Sequence, residues 1–110
     1  MNIPDVDSAF RALADPTRRR ILQLVASQPL SAGEIANHFQ TTRPAVSQHI
    51  GVLREAGLLS ERRDGSRRLY QAESTAVEDV INHLRSFWSP RLQELKRQAE
   101  RKERHRRAQP

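Results

Sequence analysis

Cysteine is absent from this sequence of 110 residues. That removes disulfides, thiolate metal sites, thiol redox sensing and cysteine nucleophiles together. A reducing cytoplasm is the expected compartment. Aromatic residues are scarce, with three Phe, one Trp and one Tyr, and there are four His. Little material is left for an enzyme site. Four glycines are too few for a phosphate-cradling loop, and no nucleophile–base pair or paired-carboxylate motif stands out. No run of about eighteen apolar residues occurs, so no membrane-spanning helix is expected. The opening residues Met1-Asn2-Ile3-Pro4-Asp5 lack the basic start and apolar stretch of a secretory signal.

Basic charge is present in excess, and its placement says more than its total. Lys and Arg number 19 against 13 Asp and Glu, a formal balance of +6. Residues 1–41 are balanced, with four groups of each sign. Residues 42–72 carry six basic and three acidic groups, and residues 73–95 carry two and four. Residues 96–110 carry seven and two, so the high pI owes most to this tail. Net charge alone is weak evidence for a nucleic-acid partner. The excess in residues 42–72 is more telling, because it falls on one small motif.

Hydrophobic spacing and punctuation give the element order. Val6, Phe10 and Leu13 form one helical stripe. Asp15-Pro16 ends that helix and caps the next, whose apolar face is Ile21, Leu22 and Val25. Ser31 and Glu34 have capping-box spacing ahead of Ile35, Ala36 and Phe39. Thr42 then caps a helix running through Val46, Ile50 and Leu53 to Ala56, with Gly57 placed to terminate it. Residues 58–63 and 67–72 are strand candidates around Asp64-Gly65, a strong hairpin signal. Val77, Ile81, Leu84, Trp88, Leu92 and Leu95 form a long apolar seam. Pro90 interrupts it. Either the helix kinks there, or it stops and restarts with Ser89 as cap.

This order predicts a mainly α fold with a small β-hairpin (α+β), α-α-α-α-β-β-α, a winged helix-turn-helix. Residues 35–56 are the helix-turn-helix and 42–56 its recognition helix. Residues 1–95 are expected to form the DNA-binding and dimerisation domain. Residues 96–110 are expected to be a basic C-terminal extension that continues the helix end and then loses order.

Three pieces in this order and spacing resemble the ArsR/SmtB-type transcriptional regulators. They are residues 12–22 around Asp15-Pro16-Thr17-Arg18, residues 42–50 with 53–59, and Arg62-Arg63-Asp64-Gly65. The resemblance covers residues 9–95. Phe87-Trp88 and residues 91–95 are also similar to a branch that includes autorepressors without a cysteine metal box. The resemblance implies a homodimeric repressor, dimerising through its first and last helices. It implies two recognition helices in successive major grooves of a palindromic operator, and an effector, often a metal ion. The chain departs from the metal-sensing pattern. Ala36-Asn37-His38-Phe39 stands where those sensors carry a Cys-x-Cys-like motif. Asp79 and His83, with Glu94 further along, do not reproduce the spacing of the family's C-terminal-helix site.

Candidate roles follow. With Val46, Ile50 and Leu53 inward, Arg43, Ser47 and Gln48 face outward near the helix N-terminus, where Arg can read guanine and Gln adenine. Thr42, Pro44 and nearby amides lie where a phosphate is held. At the hairpin tip, Arg63 and Arg67 are the favoured wing contacts among Arg62, Arg63, Arg67 and Arg68. His49 beside Val46 and Ile50 is expected to brace the helix. Phe10, Leu13, Ile81, Leu84, Trp88 and Leu92 are the candidate dimer interface, because a helix apolar on two sides needs two partners. No firm cofactor is expected. Asp79 and His83 are weak candidates for a divalent metal ion, and an ordinary exposed helical i,i+4 pair is the favoured reading. Double-stranded DNA and a second copy are the expected partners, without a membrane and with no effector identified. A metal-responsive (Ni- or Zn-type) regulator and a winged-helix protein-interaction module are the alternatives.

Overall fold

The computed structural model describes residues 6–87 and 90–108. Its elements are α1 (Val6–Leu13), α2 (Pro16–Ser27), α3 (Ala32–Ala36), α4 (Arg43–Glu55), β1 (Leu59–Asp64), β2 (Arg67–Ala72), α5 (Ser74–Phe87) and α6 (Pro90–Ala108). They fall into two units, residues 1–80 and 81–110, divided within α5.

In the first unit, side chains that satisfy orphan amides set the helix starts. Asp15 Oδ1 accepts from the amides of Thr17 at 2.8 Å and Arg18 at 3.1 Å. Pro16 occupies the first turn of α2, where a missing N–H costs nothing. Ser31 and Glu34 form the reciprocal capping box of α3. Thr42 Oγ1 accepts from the Ala45 amide at 3.2 Å and begins α4. Gly57, at φ 78°, ends α4. The chain reverses there, and the amides of Gly57 and Leu58 close on the carbonyls of Arg54 and Leu53.

The core gathers Ile21, Val25, Ile35, Val46, Leu53 and Leu58, each almost fully buried. Each such side chain contributes about 1.5–3 kcal/mol relative to exposure. In α1 the innermost residues are Ala9 and Ala12, and Val6, Phe10 and Leu13 pack only partly against the core. The large residues mark the margin of α1, and the small ones lie where it packs onto its neighbours. Ala76 and Val80 attach the start of α5 to the same core.

β1 and β2 pair antiparallel with Asp64 opposite Arg67 and Arg63 opposite Arg68. The turn is therefore Gly65-Ser66, with Gly65 at φ 66°, one residue later than the expected Asp64-Gly65. Leu30 and Tyr70 exchange two backbone hydrogen bonds, of 2.8 and 3.0 Å, and tie the hairpin's root to the segment before α3.

α5 is described to Phe87 and α6 from Pro90, and the choice between a kink and a restart falls on the two residues between them. Trp88 and Ser89 lie outside the described residues. The basic extension, expected to continue the helix end, is helical to Ala108. α6 consists almost wholly of strong helix formers. It also places acids ahead of bases at helical spacing. Glu94 pairs with Arg97 at 2.9 Å and Arg101 at 3.3 Å, and Glu103 pairs with Arg106 and Arg107. The Arg97 side chain bonded to Glu94 holds that carboxyl below its ordinary range.

Candidate nucleic-acid interface

α4 presents two faces. Val46, Ile50 and Leu53 point into the core, while Thr42, Arg43, Pro44, Ser47 and Gln48 are exposed. Arg43 and Ser47 stack at i,i+4, as do Pro44 and Gln48, so two adjacent rows face outward. The Thr42 hydroxyl is engaged as a cap, and it positions the first turn on which Arg43 stands.

The helix is held from behind by Arg18. Its Nε donates to the Ala12 carbonyl at 2.6 Å and its Nη2 to the Arg11 carbonyl at 3.0 Å. Its Nη1 lies 3.4 Å from His49 Nδ1. One guanidinium thus closes the C-terminal end of α1, where positive charge is favoured, and touches the recognition helix. His49 is half-buried in the bracing position expected of it, and His38 is exposed.

The hairpin forms the wing, and its register sorts its arginines. Side chains alternate along each strand, so Arg63 and Arg68 share one face directly opposite each other. Like charges in that position destabilise a hairpin on their own. Arg62 and Arg67 project from the other face. Arg67, an expected wing contact, is bonded to Glu34 Oε1 at 2.5 Å. Arg54 of α4 pairs with Glu61 of β1 at 3.1 Å. Among the described residues, the guanidiniums of Arg43, Arg62, Arg63 and Arg68 make no hydrogen bond or ion pair within the chain. Arg68 is the wing residue that proximity to the turn did not favour.

A cleft of about 350 Å³ lies where α3, the start of α4 and the wing meet. Ser31, Arg43, Arg67, Arg68 and Tyr70 are among its lining residues. Two of these guanidiniums, Arg43 and Arg68, are without a partner, so the cleft attracts anions. Glu34 stands beside it. The Ser31 amide and hydroxyl, then the Arg67 guanidinium, hold its carboxyl below the usual range, so Glu34 is an anion at neutral pH.

The other candidates are spread over the molecule. Phe10 and Leu13 are half-buried on α1. Ile81, Leu84 and Leu92 are exposed by 42, 51 and 42%. Phe87 and Leu95, at 57 and 50%, extend the exposed apolar set, and Trp88 lies outside the described residues. Asp79 is half-buried, with Oδ2 buried and without a hydrogen-bond partner. The His83 ring meets Phe87 edge-on at 5.0 Å. No three His, Asp or Glu side chains come together as metal ligands among the described residues.

A helix-turn-helix with an exposed polar reading face, flanked by a hairpin bearing unpaired arginines, defines a winged helix-turn-helix nucleic-acid-binding domain. Comparison with known proteins narrows the class. Residues 13–62 match the family model described as a helix-turn-helix domain. The chain is 44% identical over 86 residues to the HTH-type transcriptional regulator Rv2034 of Mycobacterium tuberculosis, covering 78% of this chain and 80% of that protein. It is 37% identical over 82 residues to the transcriptional repressor SdpR of Bacillus subtilis, covering 74% and 91%. The solution structure of a homodimeric winged helix-turn-helix DNA-binding domain from Mycobacterium bovis, a possible ArsR-family regulator, superimposes with a TM-score of 0.60. That match has 29% identity and covers 76% of this chain and 74% of the other. The chain belongs to the ArsR/SmtB-type family of winged helix-turn-helix regulators. It is a DNA-binding transcriptional regulator rather than an enzyme.

Proposed function

We propose that the protein is a homodimeric repressor that binds a palindromic operator in the cytoplasm. In this reading Arg43, Ser47 and Gln48 meet base edges in the major groove, with Thr42 and Pro44 against the backbone beside them. Arg63 and Arg68 meet phosphates from the wing. One observation carries this: unneutralised arginines from the recognition helix and the wing, Arg43 and Arg68, open onto one cleft. Phosphate is the anion that a duplex laid along α4 would bring there. The exposed apolar residues Ile81, Leu84, Phe87 and Leu92 support pairing of two copies. A dimer would present two recognition helices to two half-sites about one helical turn apart. Footprinting on DNA from upstream of the protein's own gene tests this. The expected result is two protected half-sites related by a dyad, and one asymmetric block would overturn the dimeric reading.

The buried, unbonded Oδ2 of Asp79 favours a second reading, in which a divalent cation at Asp79 takes further ligands from a second copy. DNA affinity would then shift on adding Zn²⁺ after chelation, and Asp79→Ala would abolish the shift. Equal affinity with chelator and with metal would remove the reading.

A further inference from the structure

We infer that Glu34 is a specificity-determining residue, whose carboxylate holds Arg67 away from the DNA backbone and so limits sequence-independent binding. This rests on the DNA-binding face described above. Arg67 lines the same cleft as Arg43 and Arg68, yet its guanidinium is bonded to Glu34. A phosphate entering the cleft would meet the negative charge of Glu34 and one fewer available guanidinium. Phosphate contacts carry affinity but little sequence information. A carboxylate that removes one such contact therefore lowers non-specific affinity and leaves base reading to Arg43, Ser47 and Gln48.

The bond between Glu34 and Arg67 is not needed to position the wing. The root of the hairpin is fixed by the two Leu30–Tyr70 backbone bonds, and β1 is tied to α4 through Arg54 and Glu61. Nor is the charge of Glu34 needed to cap α3. Its Oε1 accepts from the Ser31 amide at 2.8 Å, and a glutamine oxygen makes the same bond. Glu34→Gln therefore removes the charge and keeps the cap.

The test is a titration of the full chain, Glu34→Gln and Glu34→Gln/Arg67→Gln against a scrambled duplex and a duplex from upstream of its own gene, over a range of salt. The expected result for Glu34→Gln is about fivefold tighter binding to the scrambled duplex near physiological salt. The slope of log K against log salt should steepen by about 0.9, the release of counterions from one further phosphate contact. Preference for the upstream duplex should fall, and the double variant should return to the unaltered protein's slope. Weaker binding by Glu34→Gln, or an unchanged slope, would overturn the inference and make Glu34 a wing anchor. A slope for the double variant below that of the unaltered protein would also overturn it, because Arg67 would then already touch phosphate. Failure of the DNA-recognition reading looks different: the unaltered protein would show no preference for the upstream duplex, and any binding would collapse with salt.

Discussion

Arginine is the residue through which this molecule can be read, because each position uses the same guanidinium differently. Arg18 and Arg19 bond to the carbonyls of Arg11, Ala12 and Leu13 and close the end of α1. Arg54 ties the wing to α4 and Arg67 is bonded to Glu34, while Arg43, Arg63 and Arg68 remain available. Separate outcomes follow on DNA. Arg43→Ala should cost about 1–3 kcal/mol on the operator and relax the base preference at one position in each half-site. Arg63→Ala should weaken binding to all sequences alike and reduce the salt slope by about 1. Titrations against single-base operator variants distinguish the two. Asp15 makes a further prediction, for stability. The Arg18 amide first, then the Thr17 amide, hold its carboxyl below the ordinary range. A depressed carboxylate contributes stability above its unfolded value and loses it as pH falls through the folded one. Glu34 and Glu94 act in the same direction. Thermal melts should therefore be flat near neutrality and fall below about pH 4. Asp15→Asn, which still caps, should make that fall shallower.

At the scale of elements, the recognition helix was the most legible, because its signals agree. Thr42 caps it, Val46, Ile50 and Leu53 mark its inner face, and Ala56-Gly57 ends it. Leu53 is fully buried, so Leu53→Ala should destabilise the protein by about 2–5 kcal/mol in denaturant unfolding. The outward face was legible as a consequence, since the inner stripe leaves Arg43, Ser47 and Gln48 on the other side. α1 was read less well. Its Val6/Phe10/Leu13 stripe is real, but Ala9 and Ala12 lie deepest, and alanine carries little periodic signal of burial. The wing is legible as a hairpin, but its register is not. Asp64-Gly65 and Gly65-Ser66 both suit a tight turn, and pairing along the strands decides between them. The observed register sets Arg63 opposite Arg68, whereas a turn at Asp64-Gly65 would set it opposite Ser66. The bond from Glu34 to Arg67 spans 33 residues, and no local pattern announces such a contact. In the basic tail, how far the helix continues is not legible from net charge, and i,i+3 and i,i+4 acid–base pairs support it.

At the scale of the whole molecule, one chain leaves unfinished surfaces. Ile81, Leu84, Phe87, Leu92 and Leu95 remain exposed, and large exposed apolar side chains in one run mark a surface for a partner. Ile81→Glu/Leu84→Glu should halve the mass seen in sedimentation equilibrium and weaken operator binding much more than it changes the melting temperature. An unchanged mass would place the dimer contact elsewhere.

The central claim is that α4 and the wing together recognise a DNA sequence. A fluorescence-anisotropy titration of the full chain against DNA from upstream of its own gene tests it most directly, with scrambled duplex as competitor and at two salt concentrations. The predicted result is binding that survives competitor, weakens with salt and loses its sequence preference in Arg43→Ala. Binding that collapses with salt, ignores sequence and is indifferent to Arg43→Ala would contradict it.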